Sequence, residues 1–400
     1  MQKKNLTQFE FITLMASLMS VVALAIDALL PALDVIGKSI GTTNNSENQL
    51  LIIMIFLGLG VGPLVFGPIS DSLGRKPIVY MGFAIFIVAS LICIQAETIE
   101  FMIFGRILQG IGLSAPRTIS IAIVRDTYSG DYMARIMSFI TVVFLFVPII
   151  APAFGKLILD LYNWQAIFYI QLFIVFIISF WFWKRQPETL HPEYRRKLTI
   201  AMLIEGNKEL FKHKQTIGYT IISGFITGSF MVYLSTAQQI FQHQYQLIDE
   251  FPYIFAALAI SMGAASLSNG TLVIKYGMKK MVTVALYFYF GISLLYILLY
   301  YNSTNPSIEV LFAFFALQFF AIGFLFGNLR ALAMQPIGHI AGIGAATTGF
   351  ISTIMAVPIS TLVGKFVGTT ALPIFIGFVI CSLLSIIVLN VINLTNKKSS

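Results

Sequence analysis

Charge is scarce in this sequence. Only 10% of its 400 residues are Asp, Glu, Lys or Arg, against 58% hydrophobic residues. Soluble domains carry roughly 25% charged residues, and a chain this apolar has too little polar surface to wet. A soluble fold is excluded on that ground. Cysteine is nearly absent as well. Cys93 and Cys381 both fall in apolar runs without metal-ligand spacing, which excludes a disulfide framework. Histidine is confined to His191, His213, His243 and His339, in loops or at helix ends. An intramembrane enzyme would need a nucleophile–base pair or a metal cluster inside the spans. No G-x-x-x-x-G-K-S/T loop is present to cradle a nucleotide. No basic helix face with interleaved aromatics is present either, so the net charge of +8 does not imply nucleic acid. A channel is disfavoured by the lack of repeated polar rings.

What the sequence does contain is a succession of long apolar runs. A helix needs about 20 mostly apolar residues to cross a bilayer. Twelve runs qualify: Phe9–Leu30, Asn48–Ile69, Pro77–Gln95, Ile99–Val124, Ala134–Ile158 and Trp164–Trp183, then Gln215–Gln239, Pro252–Ile274, Met281–Tyr300, Ile308–Met334, Gly342–Val367 and Ala371–Val391. The first lacks a small-residue cleavage site and reads as a retained helix. The fold expected is an all-α polytopic membrane protein of twelve transmembrane helices. Residues 1–183 form one six-helix bundle, 184–214 a cytoplasmic linker with a surface helix near 201–211, and 215–400 a second bundle. The segments Gly67–Lys76 and Gly270–Lys279 occupy equivalent places in the halves, as in a repeated transporter plan.

The placement of cations orients the chain. With both termini in the cytoplasm, twenty of the twenty-five Lys and Arg lie on the inner side, from Lys3 and Lys4 to Lys397 and Lys398. Lys38, Lys156 and Lys365 fall outside, and Arg106 and Arg117 lie within the fourth run. That asymmetry follows the positive-inside rule.

The strongest local motif is Gly67-Pro-Ile-Ser-Asp71-Ser-Leu-Gly74-Arg75-Lys76. Its glycines permit a tight turn and close helix approach. Asp71 and Arg75 can form a charged clasp, with Asp126 as a third member. The second-half copy has Ile274 and Met278 in place of the Asp and Arg, so any clasp there is weaker. The segment resembles the G-x-x-x-D-x-x-G-R-K/R loop of the major facilitator superfamily. That resemblance implies a cytoplasmic gate made by Gly67, Asp71, Gly74, Arg75, Lys76 and Asp126.

Arg106-Ile-Leu-Gln109-Gly110 resembles the R-x-x-Q-G motif of proton-coupled members of that superfamily. An intramembrane Arg costs about 2.5–3.5 kcal/mol on insertion scales and wants a partner or a cavity. Asp27 is the one carboxylate deep in any span, so an Asp27–Arg106 pair is expected to carry the proton. Burial favours the neutral acid and a nearby guanidinium favours the carboxylate. Asp27-Ala-Leu-Leu-Pro31-Ala-Leu33 is similar to the first span of the drug–proton antiporter branch, its bicyclomycin-resistance (Bcr/CflA) group in particular. Asp34, one heptad on, reads as a residue of the outer mouth.

Pro148-Ile-Ile-Ala151-Pro152-Ala-Phe154-Gly155 resembles the antiporter-type helix motif of exporters, with Lys156 in place of the usual closing glycine. A kinked helix packed closely against the eleventh span is expected. Arg117 lies three turns beyond Arg106 and either lines the inner cavity or reaches the clasp. Gln109, Arg117, Tyr233 and Asn328 are the candidates for the substrate cavity. Aromatic surfaces suit varied amphipathic ligands, and a single buried acid suits cationic or neutral lipophilic ones.

The resemblance implies proton-coupled antiport of drugs or other small lipophilic or cationic molecules across a bacterial inner membrane by alternating access. The alternative is proton-coupled transport of a specific metabolite such as a sugar, an amino acid or a siderophore. The proton is the only coupling ion implied. No cofactor, metal or nucleic acid is expected, and a monomer in the lipid bilayer is.

Overall fold

The computed structural model describes residues 6–42, 44–128, 130–191, 193, 195, 205, 208–302 and 304–398. Twelve helices of 20 residues or more are found among them. We call these spans one to twelve. The chain divides into two compact units, Met1–Thr199 and Ile200–Ser400. Of the surface helix expected near 201–211, most lies outside the described residues, and 208–212 are helical.

In the first unit the spans are Gln8–Asp27, Asn45–Leu73, Arg75–Ile94, Ile99–Thr127, Gly130–Leu161 and Trp164–Arg185. In the second they are Lys214–Gln238, Phe251–Tyr276, Met278–Tyr300, Ile308–Met334, Ala341–Gly364 and Leu372–Lys398. Eleven of these helices, some with their short continuations, are long and apolar enough to cross a membrane. The remaining one, Gly130–Leu161, has no charged residue from Ile136 to Gly155. The chain is thus a multi-pass membrane protein. Span ends are capped where the sequence offers a short polar side chain. Thr7 accepts from the Glu10 amide at 3.2 Å, Asn44 from Ser46 at 3.1 Å and Asn163 from Ala166 at 3.0 Å.

Two spans depart from a single unbroken helix. Span one ends at Asp27, because Pro31 has no N–H for the Asp27 carbonyl. The chain turns through Leu30–Ala32 and resumes as a short helix, Leu33–Ser39. Span seven runs into a π-helical turn, Gln239–Gln244. There the Gln244 amide donates to the Gly368 carbonyl at 2.9 Å, and the Tyr245 hydroxyl to the Pro306 carbonyl at 2.7 Å.

Lipid gives helices no hydrophobic reason to associate, so close backbone packing does that work. Span four is seated this way between two neighbours. Gly58 of span two faces the Ile107 carbonyl, and Gly110 of span four faces the Ile55 carbonyl. A Cβ at either would collide with backbone. On the other side, Gly112 packs on Gly82 and Phe86 of span three. The glycines of the Arg106–Gly112 motif are therefore what bring its polar residues within reach of spans one to three.

Candidate functional site

Arg106 is 1% exposed and sits at the crossing of spans one, two and four. Its Nε donates to the Leu51 carbonyl at 2.7 Å. Its Nη1 donates to the Ala25 carbonyl at 3.1 Å and to Gln109 Oε1 at 2.8 Å. The Ala25 carbonyl is available because span one is ending. The Leu29 amide, its helical partner in an unbroken helix, donates to Ile26 at 3.3 Å instead.

The Asp27–Arg106 pair expected from the sequence is not formed in this structure. Arg106 spends its donors on carbonyls and Gln109, and Nη2 has no hydrogen-bond partner among the described residues. Asp27 is 5% exposed at the point where span one breaks, and no hydrogen bond or ion pair engages it among the described residues. The reason is local. The Leu29 amide turns to Ile26 where span one ends, and the Ala25 carbonyl it leaves competes with the carboxylate as acceptor.

Gln109 extends the network. Its Nε2 donates to Ser90 Oγ at 2.7 Å, and Ser90 donates to the Phe86 carbonyl at 2.8 Å. The second unit repeats this relay. Gln318 Nε2 donates to Ser293 Oγ at 2.7 Å, and Ser293 donates to the Tyr289 carbonyl at 2.8 Å. Three residues before Gln318 stands Phe315, where the first unit has Arg106. Gln318 Oε1 is buried without a partner among the described residues. The relay is thus present in both units, with an arginine three residues before the glutamine in the first alone.

The clasp is assembled. Arg75 is buried at the start of span three. Its Nη1 donates to Asp71 Oδ1 at 2.6 Å and to Ser70 Oγ at 2.8 Å. Its Nε donates to Asp126 Oδ2 at 2.8 Å, and Nη2 to Asp126 Oδ1 at 3.4 Å. Asp126 thus joins the end of span four to the start of span three. Gly74 makes the turn with φ of 112°, a value that favours glycine. Gly67 offers its carbonyl to the Ser70 hydroxyl at 2.8 Å. Lys76 Nζ donates to the Gln186 carbonyl at 2.7 Å and the Trp183 carbonyl at 3.2 Å, closing the end of span six.

Sequence reasoning missed Glu188, just beyond span six. Its Oε1 accepts from the Arg75 amide at 2.9 Å, and its Oε2 from the Lys76 amide at 3.0 Å. The Thr189 hydroxyl beside it donates to Asp126 Oδ2 at 3.2 Å. The only sequence signal was an acid following Pro187 at a helix exit. Also missed was Glu10, which accepts from Arg185 and ties the start of span one to the end of span six.

The remaining candidates are placed as follows. Gly155 of span five lies against the backbone of Ala28, at the break of span one. Ala151 and Pro152 are buried on the same helix, Pro148 is half-buried, and Lys156 pairs with Asp160 at 2.8 Å. Arg117 is exposed. Three cavity candidates are buried within their own units. Gln109 is enclosed and bonded as described. The Tyr233 ring is walled in by Phe255, Phe315 and Phe319, the last with ring centres 4.6 Å apart. Asn328 is buried and donates to Asn269 Oδ1 at 2.7 Å and the Phe324 carbonyl at 2.9 Å. Asp34, on the short helix after the break, accepts from Asn48 Nδ2 at 3.4 Å. No cluster of His, Cys, Asp or Glu that could hold a metal ion occurs among the described residues.

Comparison with known proteins follows the same lines. The family model described as Major Facilitator Superfamily matches residues 15–357. The chain is 26% identical to a bicyclomycin resistance protein homolog of Haemophilus influenzae, over 98% of each chain. It is 25% identical to the multidrug resistance protein MdtL of Klebsiella pneumoniae, over 92% of this chain and 91% of that one. Its fold is similar to that of a D-xylose–proton symporter, with a TM-score of 0.72 at 14% identity, over 95% of this chain and 97% of that one.

Proposed function

This chain belongs to the Major Facilitator Superfamily, and from that premise we propose that it is a proton-driven drug exporter of the Bcr/CflA type. It exchanges protons for small lipophilic or cationic molecules across a bacterial cytoplasmic membrane, with both termini in the cytoplasm. It works as a monomer, with the proton as its only coupling ion.

The observation that carries this reading is Asp27: a buried carboxyl without an ion-pair partner, placed where span one breaks. A fixed negative charge there would cost several kcal/mol. The group can hold charge when water or a cationic substrate reaches it, and a proton otherwise. Substrate and proton then compete for one acid, which is the requirement for antiport. Arg106, with its donors on Leu51, Ala25 and Gln109, holds the surrounding helices in place. One proton crossing about 100 mV supplies about 2.3 kcal/mol. Asp71, Arg75 and Asp126 act as the inner gate.

The test is ethidium efflux from a pump-deficient bacterial host expressing the protein. Efflux above the empty-vector rate that collapses with a protonophore supports the proposal. Protonophore-insensitive efflux, or none over a panel of lipophilic cations, refutes it.

A further inference from the structure

We propose that Glu188 is a working member of the clasp: a positioning residue that seats the Arg75 backbone so that its guanidinium spans Asp71 and Asp126. The inference rests on reading that cluster as a gate.

Span three begins at Arg75 with no side-chain cap of its own, since its N-cap is Gly74. The first amides of a helix have no intrahelical partner, and a carboxylate gains both their hydrogen bonds and the positive end of the dipole. Glu188 supplies this from 113 residues away, on the amides of Arg75 and Lys76. The same carboxylate accepts from the amides of Thr189 and Leu190, each at 3.0 Å. One side chain thus fastens the exit from span six to the entrance of span three. Gly74 leaves room for it: a Cβ there would lie 2.7 Å from Glu188 Oε2. Lys76 completes the exchange by donating to the last carbonyls of span six.

Thr189 meets the clasp from the other side. Its hydroxyl reaches the Asp126 oxygen that also takes Arg75 Nε. Residues 188 and 189 therefore hold both partners, one through backbone and one through side chain. They open the stretch that leads on to the second unit.

The experiment is hydrogen–deuterium exchange on the full-length protein in lipid nanodiscs, comparing wild type with Glu188→Gln, Glu188→Asp and Asp126→Asn. Glu188→Gln is expected to speed exchange about tenfold or more in the peptide Ser70–Tyr80, since hydrogen bonds to a charged group are lost. It should also speed exchange in Ile121–Tyr128, which Glu188 does not touch directly. Glu188→Asp, which keeps the charge, should recover protection in both. A change confined to Ser70–Tyr80, or no change, overturns the proposal, because Glu188 would then be a local cap only. Asp126→Asn separates the two claims: if it leaves Ser70–Tyr80 unaltered, the gate reading itself fails.

Discussion

Arg106 Nη1 donates to Gln109 Oε1 at 2.8 Å, and no hydrogen bond or ion pair joins Arg106 to Asp27 among the described residues. Arg106 ties spans one, two and four together. In the function proposed, Asp27 rather than Arg106 is the group that takes up the proton. The two residues therefore respond differently to substitution. Arg106→Lys keeps the charge but loses the fork that reaches three acceptors, each such bond worth about 1.5–3 kcal/mol. Its melting temperature in detergent should fall by several degrees, while that of Asp27→Asn stays at the wild-type value. Equal losses would restore the ion-pair picture.

The repeated glutamine relay gives a second contrast. Gln109 is satisfied at both ends, so Gln109→Leu takes one hydrogen bond from Arg106 Nη1 and one from Ser90 and should destabilise by about 1–3 kcal/mol. Gln318 already has an unpartnered Oε1, so Gln318→Leu should cost less than half as much. Thermal melting of the two purified variants decides the matter. A larger loss at position 318 would contradict the relay as described.

Asp126 is the more enclosed carboxylate of the clasp and takes two donors of Arg75, whereas Asp71 takes one. Solvent-exposed ion pairs contribute little. Asp126→Asn should therefore slow ethidium efflux at least several-fold, and Asp71→Asn less. Arg75→Lys cannot span both and should resemble Asp126→Asn. Initial efflux rates at matched expression measure all three.

Gly155 against the Ala28 backbone makes span five the wall of the Asp27 turn. Gly155→Leu should push that turn aside at a cost of about 1–3 kcal/mol, with loss of drug resistance in the host. The same substitution at Gly270, where the space is open, should be tolerated.

Much of this architecture is legible in the sequence. Span lengths follow from bilayer thickness, and the Gly67–Lys76 loop announces its clasp because Asp71 and Arg75 are one helical turn apart. Asp126 was within reach because it ends an adjacent span. The Asp27–Arg106 pair was misread because charge was matched without regard to backbone acceptors. Only the turn at the end of span one, where the Leu29 amide bonds Ile26, shows that the Ala25 carbonyl is open to Arg106. The packing of the Tyr233 ring on Phe255, Phe315 and Phe319 and the bond from Asn328 to Asn269 join residues far apart in the chain, so no local pattern announces them. Glu188 was invisible because a cap offered from 113 residues away leaves no local pattern.

The central claim is that Asp27 is the proton carrier. The most direct measurement is ethidium-induced proton release from purified protein in lightly buffered detergent solution. The account predicts release by the wild type that rises with ethidium and vanishes in Asp27→Asn, with the variant still folded. Undiminished release by Asp27→Asn would contradict it.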